Sequence, residues 1–200
     1  MKKKISVSFL ALMLSWGAYA AEDRVMTVEH LQDASSYFRI DILDETVLNG
    51  SYKGWCADWD KPIQDNTPFS YKFYSSYSDR IPAGLIAKPE NLDEMNWIIN
   101  KDFVGKSAGE ELGVYTSGDV QLAIWTLIDD DFDTSTVGEF SQARVDRIVE
   151  LAHLYGNNFY PTCKQEIGII IDPGTPQSTI IEVKIKKFPK CAVPEGDVEI

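Results

Sequence analysis

Two side chains stand out for the chemistry they can do together. Cys56, in "GWCADWD", carries a thiol, and Gln121, in "SGDVQLAIWTLIDD", carries a carboxamide. A thiol held against a carboxamide carbonyl can add to it, expel ammonia and leave a Cys–Gln thioester, an activated acyl group. The sulfur must sit at near-attack distance, about 3 to 3.5 Å. The tetrahedral oxyanion needs hydrogen-bond donors. Water must be kept away, or the thioester hydrolyses. Gln121 falls on the first turn of a predicted helix, where free backbone N–H groups are available as donors. Trp55, Trp59, Tyr115 and Trp125 are the candidates for an apolar cover, and Asp58 and Asp119 lie close enough in sequence to orient or polarise the pair. Composition and periodicity alone favour a plainer reading, in which Gln121 is a surface residue of an amphipathic helix.

The cysteine count bears on whether Cys56 is available. The chain has three cysteines, Cys56, Cys163 and Cys191, so at least one is outside any intramolecular disulfide. An antiparallel hairpin folded near Thr175 would bring Cys163, just before its first strand, beside Cys191, just after its second. A disulfide requires Cα atoms within about 7 Å, and this hairpin geometry makes Cys163–Cys191 the most natural bridge, leaving Cys56 alone. The rival pairing, Cys56–Cys163, would tie the N-terminal strands to the hairpin, and the sequence leaves it open. An unpaired cysteine is either buried and inert or chemically used.

The elements that must hold these groups follow from periodicity. "YFRIDIL" alternates Phe38, Ile40 and Ile42 with polar residues and predicts a strand over Tyr37 to Leu43. "YKGWCADWD" reads as a second strand bearing Cys56, and the aromatic "PFSYKFYSSYS" as a third. Helices are predicted in "NLDEMNWIINKDF", with Asn91 as N-cap; in "SGDVQLAIWTLIDD", with Ser117 or Asp119 as cap and a stripe of Val120, Ala123, Ile124 and Leu127; and in "SQARVDRIVELAHLYG", with Val145, Ile148, Val149 and Ala152 on one face and Gly156 as stop. "QEIGIIID" and "STIIEVKIKK" form a C-terminal hairpin with a loop longer than two residues. The expected fold class is α+β: a β-barrel or sandwich lobe (about 21–88 and 156–200), an inserted three-helix lobe (about 89–155) and the C-terminal β-hairpin, all within a single domain over 21–200.

Residues 1–20 read as a secretory signal peptide, with Lys2 to Lys4 ahead of a short apolar core and Ala18-Tyr19-Ala20 as a cleavage site. That predicts a secreted or periplasmic protein without a membrane anchor. The formal net charge of -12 argues against nucleic acid and anionic membranes as partners. No cofactor is expected, and no Cys or His spacing fits zinc. "DDDFD", Asp129 to Asp133, offers carboxylates for calcium but lacks the EF-hand pattern, so a solvated acidic loop is the readier reading. The two histidines, His30 and His153, come with no nucleophile-elbow motif for a hydrolase. Tyr71, Phe73, Tyr74 and Tyr77 offer an aromatic ligand face, although alternating aromatics in strands more often build core.

The wording around the two reactive side chains is similar to a known family. "VQLAIW", Val120 to Trp125, has the hydrophobic-Gln-x-hydrophobic signature with Ala and Trp, and Trp55-Cys56 is an aromatic-Cys pair. Together they resemble the bacterial surface thioester domains, whose aromatic-Cys motif has Tyr or Phe where this chain has Trp55. The resemblance implies a β-barrel-like lobe and a helical lobe with the bond at their junction, and a Cys56–Gln121 thioester with the reactive acyl group on Gln121. It implies covalent, single-turnover capture of an amine-bearing protein or small molecule, an adhesion role at a cell surface, and no enzymatic turnover. The alternative is a disulfide-braced secreted module that binds carbohydrate or protein without covalent chemistry.

Overall fold

The computed structural model describes residues 25–31, 37–43, 47–59, 61–129 and 131–185. The signal-peptide segment and Cys191 lie outside the described residues. A seven-stranded antiparallel sheet is built from β1 (Val25–His30), β2 (Tyr37–Ile42), β3 (Gly50–Cys56), β4 (Phe69–Ser70), β5 (Lys72–Ser75), β8 (Glu166–Asp172) and β9 (Thr179–Lys184). A two-stranded ribbon, β6 (Ser107–Gly109) and β7 (Gly113–Val114), stands apart from it. Three helices, α1 (Leu92–Ile99), α2 (Ser117–Ile128) and α3 (Gln142–Tyr155), fall between β5 and β8. The molecule is α+β, as its sequence pattern predicts.

The strand order is β4-β1-β2-β3-β9-β8-β5. The two rims, β4 and β5, are separated in the chain by Tyr71 alone. Ser70 and Lys72 are two steps apart, at most about 7 Å, so the sheet curls until its edges almost meet. This corrects the reading of "PFSYKFYSSYS" as one strand: the chain bends at Tyr71 and leaves one rim for the other. A further strand, β1, was not evident beforehand, although Met26 and Val28 alternate inward there and are buried.

The registers fix which side chains share the inside of the curled sheet. Met26 stands opposite Ile42, Val28 opposite Ile40, Phe38 opposite Gly54, and Gly54 opposite Ile181. Antiparallel partners project to the same face, so Phe38, Ile40, Ile42, Ile181 and Ile169 form one apolar interior, all fully buried. Gly54 is required there, because an added Cβ would lie 2.5 Å from Ile40 Cδ1. The hairpin β8–β9 pairs Ile170 with Ile180 and so folds about Thr175, as expected. Its second strand pairs with β3, joining N-terminal and C-terminal strands across the helical segment.

The helices take different roles. α3 is amphipathic, burying Val145, Ile148 and Ala152. Its end is marked by Gly156, whose missing side chain lets α1 approach: a Cβ would lie 2.9 Å from Glu94 Cα. α2 is buried on nearly all sides, including Leu122, Trp125 and Ile128 outside the predicted stripe. Its N-cap is Thr116 rather than Ser117 or Asp119. Thr116 Oγ1 accepts from the Asp119 N–H at 3.3 Å and Asp119 Oδ2 accepts from the Thr116 N–H at 2.7 Å, a reciprocal capping box. Asn91 precedes α1 but makes no side-chain cap; its Nδ2 instead donates to the Leu127 carbonyl at the end of α2, 2.7 Å away.

Candidate functional site

Cys56 is the last residue of β3, and the alternation of the strand turns its side chain toward the barrel interior. Trp55, one residue earlier, projects to the opposite face. There its Nε1 donates to Glu182 Oε1 at 2.6 Å, and Lys53 Nζ lies 4.5 Å from the centre of its indole ring. Trp55 therefore stiffens β3 from outside and is not a cover over the thiol. Cys56 carries a free thiol and is fully buried, so the rival Cys56–Cys163 bridge does not form. The Cys163–Cys191 pairing involves a residue outside the described ones.

Gln121 reaches Cys56 from the helical side. The Cys56 N–H donates to Gln121 Oε1 at 2.9 Å, and Gln121 Nε2 donates to the Cys56 carbonyl at 3.0 Å. Both residues are 0% exposed. The two bonds fix the orientation of the carboxamide, since the opposite one would set donor against donor and acceptor against acceptor. They lay the amide alongside the peptide of the residue that carries the thiol. The N–H bond at Oε1 also polarises the carbonyl and would remain in place for an oxyanion. The expected donors, free N–H groups of the first helical turn, are not the ones used: the helix begins at Ser117, and Gln121 is its fifth residue. The plain surface-residue reading of Gln121 is overturned by its burial. The stripe at Val120, Ala123, Ile124 and Leu127 does not face a lone sheet, because the helix is wrapped by structure.

The environment of the sulfur is dry and negatively charged. Cys56 Sγ–H donates to the Asp58 carbonyl at 2.7 Å, and Gln177 Nε2 donates to that same carbonyl at 2.7 Å. Burial, and then the Asp58 carboxylate, push the Cys56 thiol well above its ordinary range; Asp129 adds to this. The Asp58 carboxylate itself lies 3.2 Å from Lys61 Nζ. Trp125, one turn beyond Gln121 on α2, opposes the shift: its indole N–H acts on the sulfur and favours the thiolate. That N–H is fully buried and meets no acceptor at proper hydrogen-bond geometry. Phe132 stacks on Trp125 with ring centres 5.6 Å apart, a cover residue the sequence reading did not single out.

Several predicted participants lie elsewhere. Asp119 is fully buried but spent on structure: it accepts from Thr116 N–H, from Ser141 N–H at 2.7 Å and from Arg144 Nε at 2.5 Å. It does not orient the Cys56–Gln121 pair. Tyr115 packs edge-on against Phe103, 5.0 Å between ring centres, in a separate aromatic cluster with Trp97. Trp59 is half-buried against the core. Of the acidic run, Asp129 closes α2 and is buried, while Asp133 caps the short turn Thr134–Thr136. Among the described residues, no group of three or more His, Cys, Asp or Glu side chains is arranged to hold a metal ion. His30 pairs with Asp65, and His153 Nδ1 lies 2.8 Å from Glu94. Tyr71 is buried, and Phe73, Tyr74 and Tyr77 pack partly buried against the core, so these aromatics do not form an open ligand face.

No helix among the described residues is long and apolar enough to cross a membrane. No protein-family model and no curated protein matches the chain. Among solved structures it is similar to the N-terminal thioester domain of fibronectin-binding protein SfbI from Streptococcus pyogenes, at 15% identity and a TM-score of 0.43 over 82% of this chain and 94% of that one. It is also similar to the N-terminal thioester domain of a surface protein from Clostridium perfringens, at 15% identity and a TM-score of 0.47 over 80% and 99%. The N-terminal domain of the Streptococcus pyogenes pilus tip adhesin Cpa aligns at 12% identity and a TM-score of 0.45 over 82% and 94%. These likenesses show the fold alone, and the reading of the site rests on its own geometry.

Proposed function

We propose that Cys56 and Gln121 form an internal thioester and that the chain is an exported adhesion-type domain that captures amines covalently. The observation that carries this reading is the pair of hydrogen bonds, 2.9 and 3.0 Å, that hold the Gln121 carboxamide against the Cys56 peptide in a site from which water is excluded. In bond formation the Cys56 sulfur adds to Gln121 Cδ, the C–N bond breaks, the thiol proton goes to the departing nitrogen and ammonia leaves. In capture, an amine such as a lysine side chain attacks Cδ. The C–S bond breaks, Gln121 carries the target as an amide, and Cys56 is a thiol again. Each molecule acts once, so no enzymatic turnover is involved.

Two sequence features support the same reading. The "VQLAIW" and Trp55-Cys56 wording resembles the thioester domains, and the signal-peptide pattern fits export. A Cys163–Cys191 disulfide, within a single domain over 21–200, is part of the proposal. The excess negative charge favours cationic amines as targets over nucleic acid or anionic membranes. Intact-mass spectrometry and a peptide map of the non-reduced mature protein test the reading. A Cys56–Gln121 crosslink, with one ammonia lost, is the expected result. A free Cys56 thiol and an intact Gln121 amide would leave a non-covalent binding module instead.

A further inference from the structure

Two buried donors near Cys56 make no hydrogen bond of proper geometry, and the first of them leans on the Cys56 sulfur. One is Trp125 Nε1, and the other is Thr179 Oγ1; both residues are fully buried. Buried polar groups are nearly always paired, because leaving one unpaired forfeits its hydration with nothing in return. Two such groups beside a single sulfur call for a common explanation.

Their placement supplies one. Thr179 is the direct cross-strand partner of Cys56 in the β3–β9 ladder. Such partners project to the same face with Cβ atoms about 5 Å apart, and the hydroxyl and the sulfur are each one bond from Cβ. Trp125 stands four residues after Gln121 on α2, so the two side chains share one helix face. Gln121 is bonded to the Cys56 backbone, and the indole N–H acts on the Cys56 sulfur from the same side.

The chemistry proposed for the site also has an unmet need. When an amine displaces the sulfur, the C–S electron pair stays on sulfur until a proton arrives. Burial and the carboxylates of Asp58 and Asp129 oppose that charge. A sulfur in such surroundings is a poor leaving group and, in the forward direction, a poor nucleophile. Hydrogen-bond donors aimed at the place where charge develops are the standard remedy.

We propose that Trp125 Nε1–H and Thr179 Oγ1–H form a two-donor receptor for the Cys56 sulfur, stabilising the thiolate both when the thioester forms and when an amine opens it. This rests on the thioester reading above. Gln121 Oε1 is served by the Cys56 N–H, so the acyl oxygen and the sulfur have separate donors. The two donors then reach full hydrogen bonds only when the sulfur carries charge.

The test follows opening of the thioester by methylamine, read by intact mass, in the wild type and in Thr179→Val, Thr179→Ser and Trp125→Phe. Valine matches threonine in shape and removes only the hydroxyl, so Thr179→Val keeps the test valid even where Trp125→Phe fails to fold. Loss of one donor to developing charge is expected to slow opening by about tenfold or more, with Thr179→Ser restored to near the wild-type rate. Equal rates in Thr179→Val and the wild type, both carrying the ammonia loss, would overturn the two-donor receptor and leave the thioester standing. Equal slowing in Thr179→Ser and Thr179→Val would overturn it too, since shape rather than the hydroxyl would then be responsible. A wild type with no ammonia loss would remove the parent reading and this inference with it.

Discussion

Two buried polar clusters sit two residues apart on α2, and they are built on opposite rules. Around Asp119 every donor and acceptor is matched: the carboxylate takes bonds from Thr116, Ser141 and Arg144 and locks the start of α2 to the start of α3. Around Gln121 the carboxamide is matched to the Cys56 backbone, yet Trp125 and Thr179 keep donors unspent beside the thiol. A cluster that only holds a fold together gains by satisfying every atom. A cluster that must carry a charge appearing mid-reaction gains by holding donors in reserve. If the proposed thioester forms, completeness of hydrogen bonding separates scaffold from chemistry on one helix.

The contrast can be broken from either side. Asp119→Ala leaves Arg144 and two backbone N–H groups without their acceptor; removing one partner of a buried pair typically costs about 3 to 5 kcal/mol. This should be the largest loss of stability, read by urea unfolding. Gln121→Ala removes the buried acceptor of the Cys56 N–H and should cost about 1 to 3 kcal/mol. Its intact mass should match the unmodified sequence with no ammonia lost. A Gln121→Ala protein less stable than Asp119→Ala would invert the assignment of scaffold and site. Phe132→Ala strips the ring stacked on Trp125, and the stacking alone should cost about 0.5 to 1.5 kcal/mol beyond the burial lost. Its clearer sign is faster hydrolysis of the thioester in water alone, followed by recovery of mass.

The smallest effect concerns pH. The buried thiol is pushed well above its ordinary value of 9.0, first by desolvation and then by Asp58. A raised folded-state value means the stabilising contribution is fully present below the unfolded value and is lost as pH rises through the folded one. In Gln121→Ala, where Cys56 must be a free thiol, stability should be flat across neutral pH and decline above about pH 9. The companion Cys56→Ala, Gln121→Ala chain should decline less, with only the buried tyrosines left to weaken it, and in Gln121→Ala iodoacetamide should label Cys56 only after unfolding.

Much of the positioning frame can be read from residue order. Strands rich in β-branched residues flank three helices, and the hairpin about Thr175 follows from "PGTPQ" between two apolar runs. Cys56 and Gln121 stand out through their wording. What escaped notice depends on contacts distant in sequence. Thr179 is unremarkable until β9 is laid beside β3, and Phe132 sits in an acidic run that reads as solvated. Asp119 looked like a partner for Gln121 by proximity, but two positions along a helix turn side chains about 200° apart. Gln121 read as a surface residue because one apolar stripe does not reveal that the remaining faces of α2 are covered as well. Tyr71 hid a break, since alternation continues through it while the chain changes rims.

That single-residue step between β4 and β5 has a bearing on self-association. An open sheet offers its outer strands to any extended chain it meets, and such additions seed clumping. Here the two outermost strands are tied back to each other through Tyr71, and β4 is only two residues long. A stray strand finds little length to lie along. The fold thus guards against indiscriminate self-stacking by shape, and exposed Pro68 before β4 and Lys72 at the start of β5 reinforce that border.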